Sequence, residues 1–377
     1  MIRNIFCFII VIHGFIHLLG FSKAFHLVDA KQLPPISKSA GSIWLFASIL
    51  LIATAILYFN NYKYWWIAGI VAALTSQLII LSMWQESKFG TIANVILLLA
   101  SLIGYGTIKY RDTYFNDVSK NMTSNNKTDS SLLTENDIMA LPEPVKKYIR
   151  YTGFIGKPKI SSFKINFQGT IRKNETSEWM PFLSEQYNFM HSPTRLFFMN
   201  AAMLKLPVAG YHCYKEGNAS MDIRLFSLIK VQYADGEKMN VAETVTFFND
   251  MCCMAPGTLI DKRITWKTIN DTIVEGNFIY KNISIKADLH FNATGQLTNF
   301  ISDDRLSVTD DKKVRWSTPL SNYKNVNGYT LAGNAKTIYT YPEKDFCYGT
   351  FQLKSVIYNP VKKGIDGFCI TCKSITI

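Results

Sequence analysis

Four apolar runs crowd the first 108 residues, and they limit the folding of this chain more than any other feature. They cover roughly 4–21, 42–59, 64–84 and 89–108. Each is long enough to cross a hydrocarbon core of about 30 Å as a helix. In lipid every backbone N–H and C=O must be satisfied within the segment, so such runs are expected to be helical. The second, "SIWLFASILLIATAILYF", carries no charge, and the third, "YWWIAGIVAALTSQLIILSMW", has aromatic residues at both ends, as membrane interfaces favour. A cleavable leader is the competing reading of the first run. No small-residue cleavage site follows it cleanly, and three further runs come after, so all four are taken as spans.

The short connections "NNYK" and "QESK" make runs two to four a pair of antiparallel hairpins. An even number of spans returns the chain to its starting side. That side collects Arg3, Lys63, Lys109, Arg111 and Lys120, against Lys23, Lys31, Lys38 and Lys88 on the other. The positive-inside bias therefore leans toward a cytoplasmic amino terminus and a cytoplasmic soluble part. The first 108 residues hold six Lys/Arg and two acids, so the formal charge of +12 divides as +4 there and +8 beyond. The lysines are dispersed and no run of five like charges occurs. The basic excess reads as a solvated surface, not a nucleic-acid footprint. The partner this composition implies is the lipid bilayer.

Two histidines, His13 and His17, sit inside the first run in "HGFIH". Four residues apart, they share one helix face. Imidazole in hydrocarbon is costly, so that face is expected to turn into the bundle. Gln77 with Ser76 in the third run, and Thr91, Asn94 and Ser101 in the fourth, offer partners. A bundle with His13, His17, Gln77 and Asn94 inward satisfies its own polar groups, and Gly14, Gly20 and Gly69 allow close approach. Haem needs axial ligands across the macrocycle, and a metal needs three or four ligands. The spans offer no third histidine and no carboxylate, so no metal and no cofactor is expected.

Residues 112–137, rich in Ser, Thr, Asn and Asp, read as a flexible linker between a transmembrane domain (1–111) and a soluble domain (138–377). A short helix is expected over 143–152, with Pro144 in its first turn and Gly153 at its stop. From about residue 160 the apolar period becomes two, in "SSFKINFQGTIR", "RITWKTINDTIVEGNFIY", "ISIKADLHFNATGQLTNFI", "AKTIYTY" and "GTFQLKSVIYN". This predicts a mostly antiparallel sheet of six or more strands with few helices. One helix interrupts it at 241–254, with Val241, Val245, Phe248 and Cys252 as its buried stripe. The fold class is thus a helical four-span bundle joined to an α+β domain built on a curved sheet. The stripe helix is expected in the concavity beside an apolar ligand space that Phe248 lines.

Nearly the whole chain resembles a bacterial integral-membrane family known only as a domain of unknown function. The resemblance rests on "HGFIHLLGFSKAF", "PISKSAG", "TSQLII" and "SKFGTIANVILLLASLIGY" in the membrane part. In the soluble part it rests on "LPEPVKKYIRYTGFIGKP", "EWMPFLSEQYNF", "AETVTFFNDMCCMAPGTLID", "ITWKTINDT" and "NATGQLTNFISDDR". At the level of fold, the soluble part is similar to lipoprotein-carrier domains, whose curved half-barrels hold an acyl chain. That likeness implies a lipid or other apolar ligand. The polar positions within the matched segments are Glu185, Gln186, Glu243, Asp304 and Arg305.

Three functions compete. In the first, the sheet domain binds a lipid or apolar ligand and the bundle anchors it, with Glu185, Glu243, Arg305 and Phe248 as binding candidates. In the second, the chain is an anchored structural or interaction module. In the third it is a membrane-bound hydrolase, with Glu185 and Glu243 as general acid and base beside Arg305. The alternative for these carboxylates is a structural ion pair with Arg305 or Arg172. Cys252 and Cys253 are adjacent on a helix, which suits no ordinary disulfide. Cys369 and Cys372 have CxxC spacing without a second such pair. Unpaired thiols agree with a reducing compartment.

Overall fold

The amino-terminal helices pack through small residues. In this computed structural model, which describes residues 2–31, 33–124, 131–307 and 310–361, they are α1 (Ile2–Ala24), α2 (Lys38–Phe59), α3 (Trp65–Ser82), the single turn α4 (Trp84–Ser87) and α5 (Gly90–Ser124). Four of them, α1, α2, α3 and α5, are long and apolar enough to cross a membrane. Ser37 starts α2 by accepting a hydrogen bond from the Ala40 amide at 3.2 Å, the usual role of an N-cap hydroxyl. At Gly41 a Cβ would stand 2.3 Å from the Cβ of Ala24, so only glycine permits this spacing of α1 and α2. Phe6, Ile10, Leu51, Ala55, Trp65 and Leu97 form the apolar core between the helices.

The expected linker is helical at its start. Helix α5 runs on to Ser124, because Tyr114, Val118 and Met122 recur every four residues and are buried. Tyr114 packs on Tyr187, Phe198 and Tyr211. The Ser- and Asn-rich composition masked this stripe. Residues 125–130 lie outside the described part. The chain then forms α6 (Glu135–Ile138) and α7 (Glu143–Thr152). The latter ends at Gly153, whose φ of +78° is the left-handed cap conformation that glycine adopts freely. By its contacts the chain divides into a helical unit, Met1–Asp112 with Phe226–Leu228, and a sheet unit that starts at Thr113.

The sheet unit contains β1 (Ser162–Ile171), β2 (Met180–Phe189), β3 (Thr194–Met203), β4 (Leu206–Lys215), β5 (Asn218–Leu225) and β6 (Ile229–Asp235). After α8 (Glu237–Met254) come β7 (Ile264–Asn270), β8 (Ile273–Tyr280), β9 (Ile283–Phe291) and β10 (Leu297–Ser302). The small ribbon β11 (Leu306–Ser307) and β12 (Lys312–Lys313) follows, then β13 (Arg315–Val326), β14 (Tyr329–Thr340) and β15 (Asp345–Tyr358). Thirteen strands form one antiparallel sheet in the order β6-β5-β4-β3-β2-β1-β15-β14-β13-β10-β9-β8-β7. Two meandering limbs therefore meet where β15 pairs with β1, with Phe163 opposite Tyr358 and Ile171 opposite Gly349.

Helix α8 lies against both limbs, touching β4, β5 and β6 on one and β9, β10 and β14 on the other. A sheet of this width twists and curls, and a helix held by both limbs fills the hollow. The sequence predicted one buried stripe on this helix. Val245, Phe248 and Cys252 of that stripe are buried, but Met239, Ala242, Phe247, Met251 and Cys253 are buried as well, while Val241 is only half-buried. A helix with apolar residues on every side belongs in an interior. Helix α7 adds to the cover: the Tyr148 hydroxyl donates to the Cys252 carbonyl at 3.0 Å.

Candidate functional site

In the helical unit, His13 Nε2 lies 3.1 Å from Asn94 Oδ1 and 3.0 Å from Ser76 Oγ. His17 Nε2 lies 2.8 Å from the same Ser76 oxygen. Asn94 Nδ2 donates to Gln77 Oε1 at 3.0 Å, and Gln77 Nε2 donates to Thr91 Oγ1 at 3.2 Å. The donor direction orients the chain: the Asn94 amide gives its N–H₂ to Gln77, so its oxygen faces His13, which then carries the proton on Nε2. His13, His17, Gln77 and Asn94 thus come together, in a network of two side chains from each of α1, α3 and α5.

In the sheet unit the polar residues converge around Arg195 on β3. Its Nη1 donates to Glu243 Oε2 at 3.0 Å, its Nε to Asp250 Oδ2 at 2.7 Å and its Nη2 to Gln186 Oε1 at 3.1 Å. Gln186 Nε2 and Asn188 Nδ2 also donate to Asp250 Oδ2, at 2.6 and 3.2 Å. His212 Nδ1 lies 3.3 Å from Glu243 Oε1, and Arg305 Nη2 is 3.8 Å from the same oxygen. The register explains the convergence. Gln186 sits opposite Phe197 and Asn188 opposite Arg195 across β2–β3, and Phe197 sits opposite His212 across β3–β4. Glu243 and Asp250 are seven residues apart, two turns of α8.

Burial opposes ionisation of Glu243, but Arg195, then His212 and Arg305, outweigh it and hold its carboxyl well below the usual range. Burial has the upper hand at Asp250, whose carboxyl stands above its ordinary value despite Arg195, Asn188 and Gln186. Arg305 differs from the rest. It is 8% exposed, Tyr348 and Glu243 face it, and among the described residues its Nε and Nη1 have no hydrogen-bond partner. Trp316 lies under its guanidinium at 5.6 Å.

The two carboxylates expected as a catalytic pair do not meet. Side chains alternate along a strand, so Glu185 points away from the face that holds Gln186. It pairs with Lys164 at 2.7 Å, on the side where the Tyr114 hydroxyl reaches the Glu185 carbonyl at 3.2 Å. Arg172 instead stacks on Trp179 and donates to the Cys347 carbonyl. Asp304 accepts from the Lys286 amide and from Lys313 in an outer turn. Phe248 is fully buried, stacked on Phe278 at 5.6 Å and edge-on to Phe300, so it belongs to the packed interior and lines no open space. Cys252 and Cys253 are free and buried, and burial pushes both thiols up. Cys369 and Cys372 lie outside the described residues. A cavity of about 180 Å³ opens between the start of β1 and the turn after α8, lined by Ile160, Met190, Gly257 and Ile260 among others. None of the expected site residues reaches it.

The sequence reading missed Arg195, Asp250, Asn188 and His212. A signal existed for one of them: Asn188 alternates with the already noted Gln186 on one strand face within "EQYNF", an odd pattern for a face that must be buried.

A family of unknown function (DUF6544) matches residues 131–351. The chain belongs to this family. No curated protein sequence matches it. Among solved structures, the chain is similar to a LolA superfamily protein from Nitrosomonas europaea, at 8% identity and a TM-score of 0.29 over 58% of this chain and 93% of that one. A DUF1329 family protein from Desulfovibrio piger is similar at 9% identity and a TM-score of 0.33, over 61% and 94% of the two chains. A domain assigned to outer-membrane lipoprotein sorting, from Vibrio parahaemolyticus, is similar at 8% identity and a TM-score of 0.33, over 55% and 90%.

Proposed function

We propose that this DUF6544 protein is held in a membrane by α1, α2, α3 and α5, and that its sheet unit binds an anionic amphiphile whose head is received by Arg305. Arg305 is the observation that carries the reading. A guanidinium offers five N–H donors and is always charged. Burying it with two nitrogens unpaired costs free energy that folding alone does not return. A phosphate or carboxylate head offers a charged acceptor; Nε and Nη1 do not form one parallel fork, so each takes its own acceptor oxygen. Trp316, Leu306 and Tyr339 beside it are apolar and already buried, so an adjoining chain would displace part of that cover. The ligand space first expected beside Phe248 is filled by α8, so the binding region is confined to the neighbourhood of Arg305.

Native mass spectrometry of the full chain released from nanodiscs tests this. A bound acidic lipid or fatty acid is expected on the unaltered protein and not on Arg305→Gln. A second readout is stability: with a ligand present, Arg305→Met lowers the unfolding midpoint, and after delipidation it raises it, because two unsatisfied buried N–H groups are gone while Arg195 still pairs with Glu243. Absence of any acidic lipid together with a rise under both conditions would refute the proposal. The anchored interaction module would then be the better account, a reading favoured by the completely filled hollow around α8. The hydrolase reading loses its footing, since Glu185 and Glu243 lie on opposite faces. Residues from 113 onward are proposed to lie on the cytoplasmic side, from the charge bias of the loops.

A further inference from the structure

Two hairpin turns at one end of the sheet have the wrong residues for their backbone. Met203 pairs with Leu206, which leaves Leu204 and Lys205 as a two-residue turn. Leu225 pairs with Ile229, which leaves Phe226, Ser227 and Leu228 as a three-residue turn. Leu204, Lys205, Phe226 and Ser227 all have φ between 50° and 65°. Such turns favour Asn, Asp and Gly, because a branched or bulky side chain at positive φ is strained. At the opposite end of the sheet the turns contain glycine, with Glu216–Gly217 between β4 and β5 and Asn327–Gly328 between β13 and β14, although Glu216 also has φ of 50°. Leu204 and Phe226 are the only apolar side chains at positive φ among the described residues.

Phe226 is half-buried and Ser227 buried, whereas the β3–β4 turn is not used for burial. Leu204 is 79% exposed, and Leu206, Leu228, Ile229 and Val231 are exposed beside it. The two turns are neighbours, since β4 pairs with β5 and Val208 sits opposite Leu225. The segments Met203–Val208 and Ile223–Val231 contain no acid and carry Lys205, Arg224 and Lys230, of which Arg224 is paired with the neighbouring Asp222 at 2.7 Å. Strained, exposed, apolar and basic residues together fit one surface, the boundary of an anionic bilayer, where leucine enters the acyl region and lysine meets headgroups. The turn residues Phe226–Leu228 also cluster with the helical unit. Within that unit Leu228 occupies the space that a Cβ on Gly106 would take. Gly106 lies near the end of the apolar stretch of α5, just before Lys109, Tyr110 and Arg111, at the level where a span leaves hydrocarbon.

We infer that the β3–β4 and β5–β6 turns are a second membrane contact, dipping Leu204 and its neighbours into the headgroup boundary of an anionic leaflet. The inference rests on the membrane reading of α1, α2, α3 and α5, and is independent of a ligand at Arg305. Single spin labels at Leu204→Cys, Glu216→Cys and Leu78→Cys test it, in the full chain in nanodiscs containing phosphatidylglycerol. The unaltered protein, with its native cysteines, serves as labelling background. Leu78 is exposed on α3 and reports whether the helices lie in lipid. The expected result is oxygen-accessible labels at 78 and 204 and a label at 216 that is open to a water-soluble nickel chelate. A label at 204 open to the chelate, with 78 still in lipid, overturns the inference alone. A label at 204 shielded from both reagents shows a protein partner or a second copy there, and also overturns it. Labels at 78 and 204 both in water overturn the membrane reading with it. The paired substitution Leu204→Asn and Phe226→Asn is expected to raise the unfolding midpoint in detergent, and a fall would show that the fold itself requires these side chains.

Discussion

At the scale of single residues, the buried group around Arg195 is a set of charges whose removal should have unequal effects. Glu243 faces Arg195, His212 and Arg305, so Glu243→Gln leaves buried cations uncompensated. A loss of about 3–5 kcal/mol is expected, the range for breaking a buried pair, read from denaturant unfolding of the detergent-solubilised chain. Asp250→Asn should cost less, because burial already holds that carboxyl above its ordinary value and Gln186 and Asn188 can re-pair with an amide. The pH dependence follows from the signs. The Glu243 carboxyl is lowered, so its contribution is full above the unfolded value of about 4.3 and is lost as pH falls toward the folded one. Asp250 is raised, so its contribution is present at low pH and fades as pH rises through its folded value. The net expectation is destabilisation below about pH 4, flattened in Glu243→Gln. A Glu243→Gln profile as steep as that of the unaltered chain would show that other carboxylates govern acid unfolding.

At the scale of elements, the helix contacts make two sharp tests. At Gly41 a methyl group would meet the Cβ of Ala24, which cannot rotate away, so Gly41→Ala must push α1 from α2. Overpacking of this kind typically costs about 1–3 kcal/mol, visible as a lower thermal midpoint in detergent. Phe248→Ala removes a ring enclosed by Phe278 and Phe300, and about 3–5 kcal/mol is expected from the lost contacts and the cavity left behind. A cost under 1 kcal/mol would mean that α8 is not firmly seated. The elements also show what a sequence can reveal. The spans, α7, α8 and strands such as β9, buried at every second residue, were legible because one period dominates each. Strand β3 was not. It is buried at its first six positions in succession, since α8 covers one face and Tyr114 of α5 packs on Phe198 at the other. A strand covered on both sides has no alternation to read. The polar cluster was partly hidden for a related reason: Arg195 looks like a surface residue until the register of β2 and β3 places it opposite Asn188.

At the scale of the whole molecule, the question is where the sheet unit begins. Composition put the start of the folded part at 138, after a flexible stretch, whereas the contacts put it at Thr113. The difference is the last three turns of α5 together with residues up to 137, where Leu133 is buried and Glu135 and Asp137 pair with Arg150 and Lys159. Tyr114 is almost fully buried against Tyr187, Phe198 and Tyr211, the Tyr211 hydroxyl donates to Asp117 at 2.9 Å, and Lys215 reaches the other oxygen of Asp117 at 3.2 Å. A fragment beginning at 138 bares three aromatic rings on the outer face of the sheet and leaves Lys215 without that carboxylate. Large contiguous apolar patches on a soluble surface promote association. A fragment of residues 113–377 is therefore expected to be monomeric and to melt cooperatively, while 138–377 melts at lower temperature and self-associates. Size-exclusion chromatography with light scattering and a thermal melt on both fragments decide it. Equal midpoints and a monomeric 138–377 would show that residues 113–137, the tail of α5 included, add nothing to the sheet unit. A 113–377 fragment that fails to fold would mean that the sheet depends on the apolar helices, and that the two units form one cooperative structure.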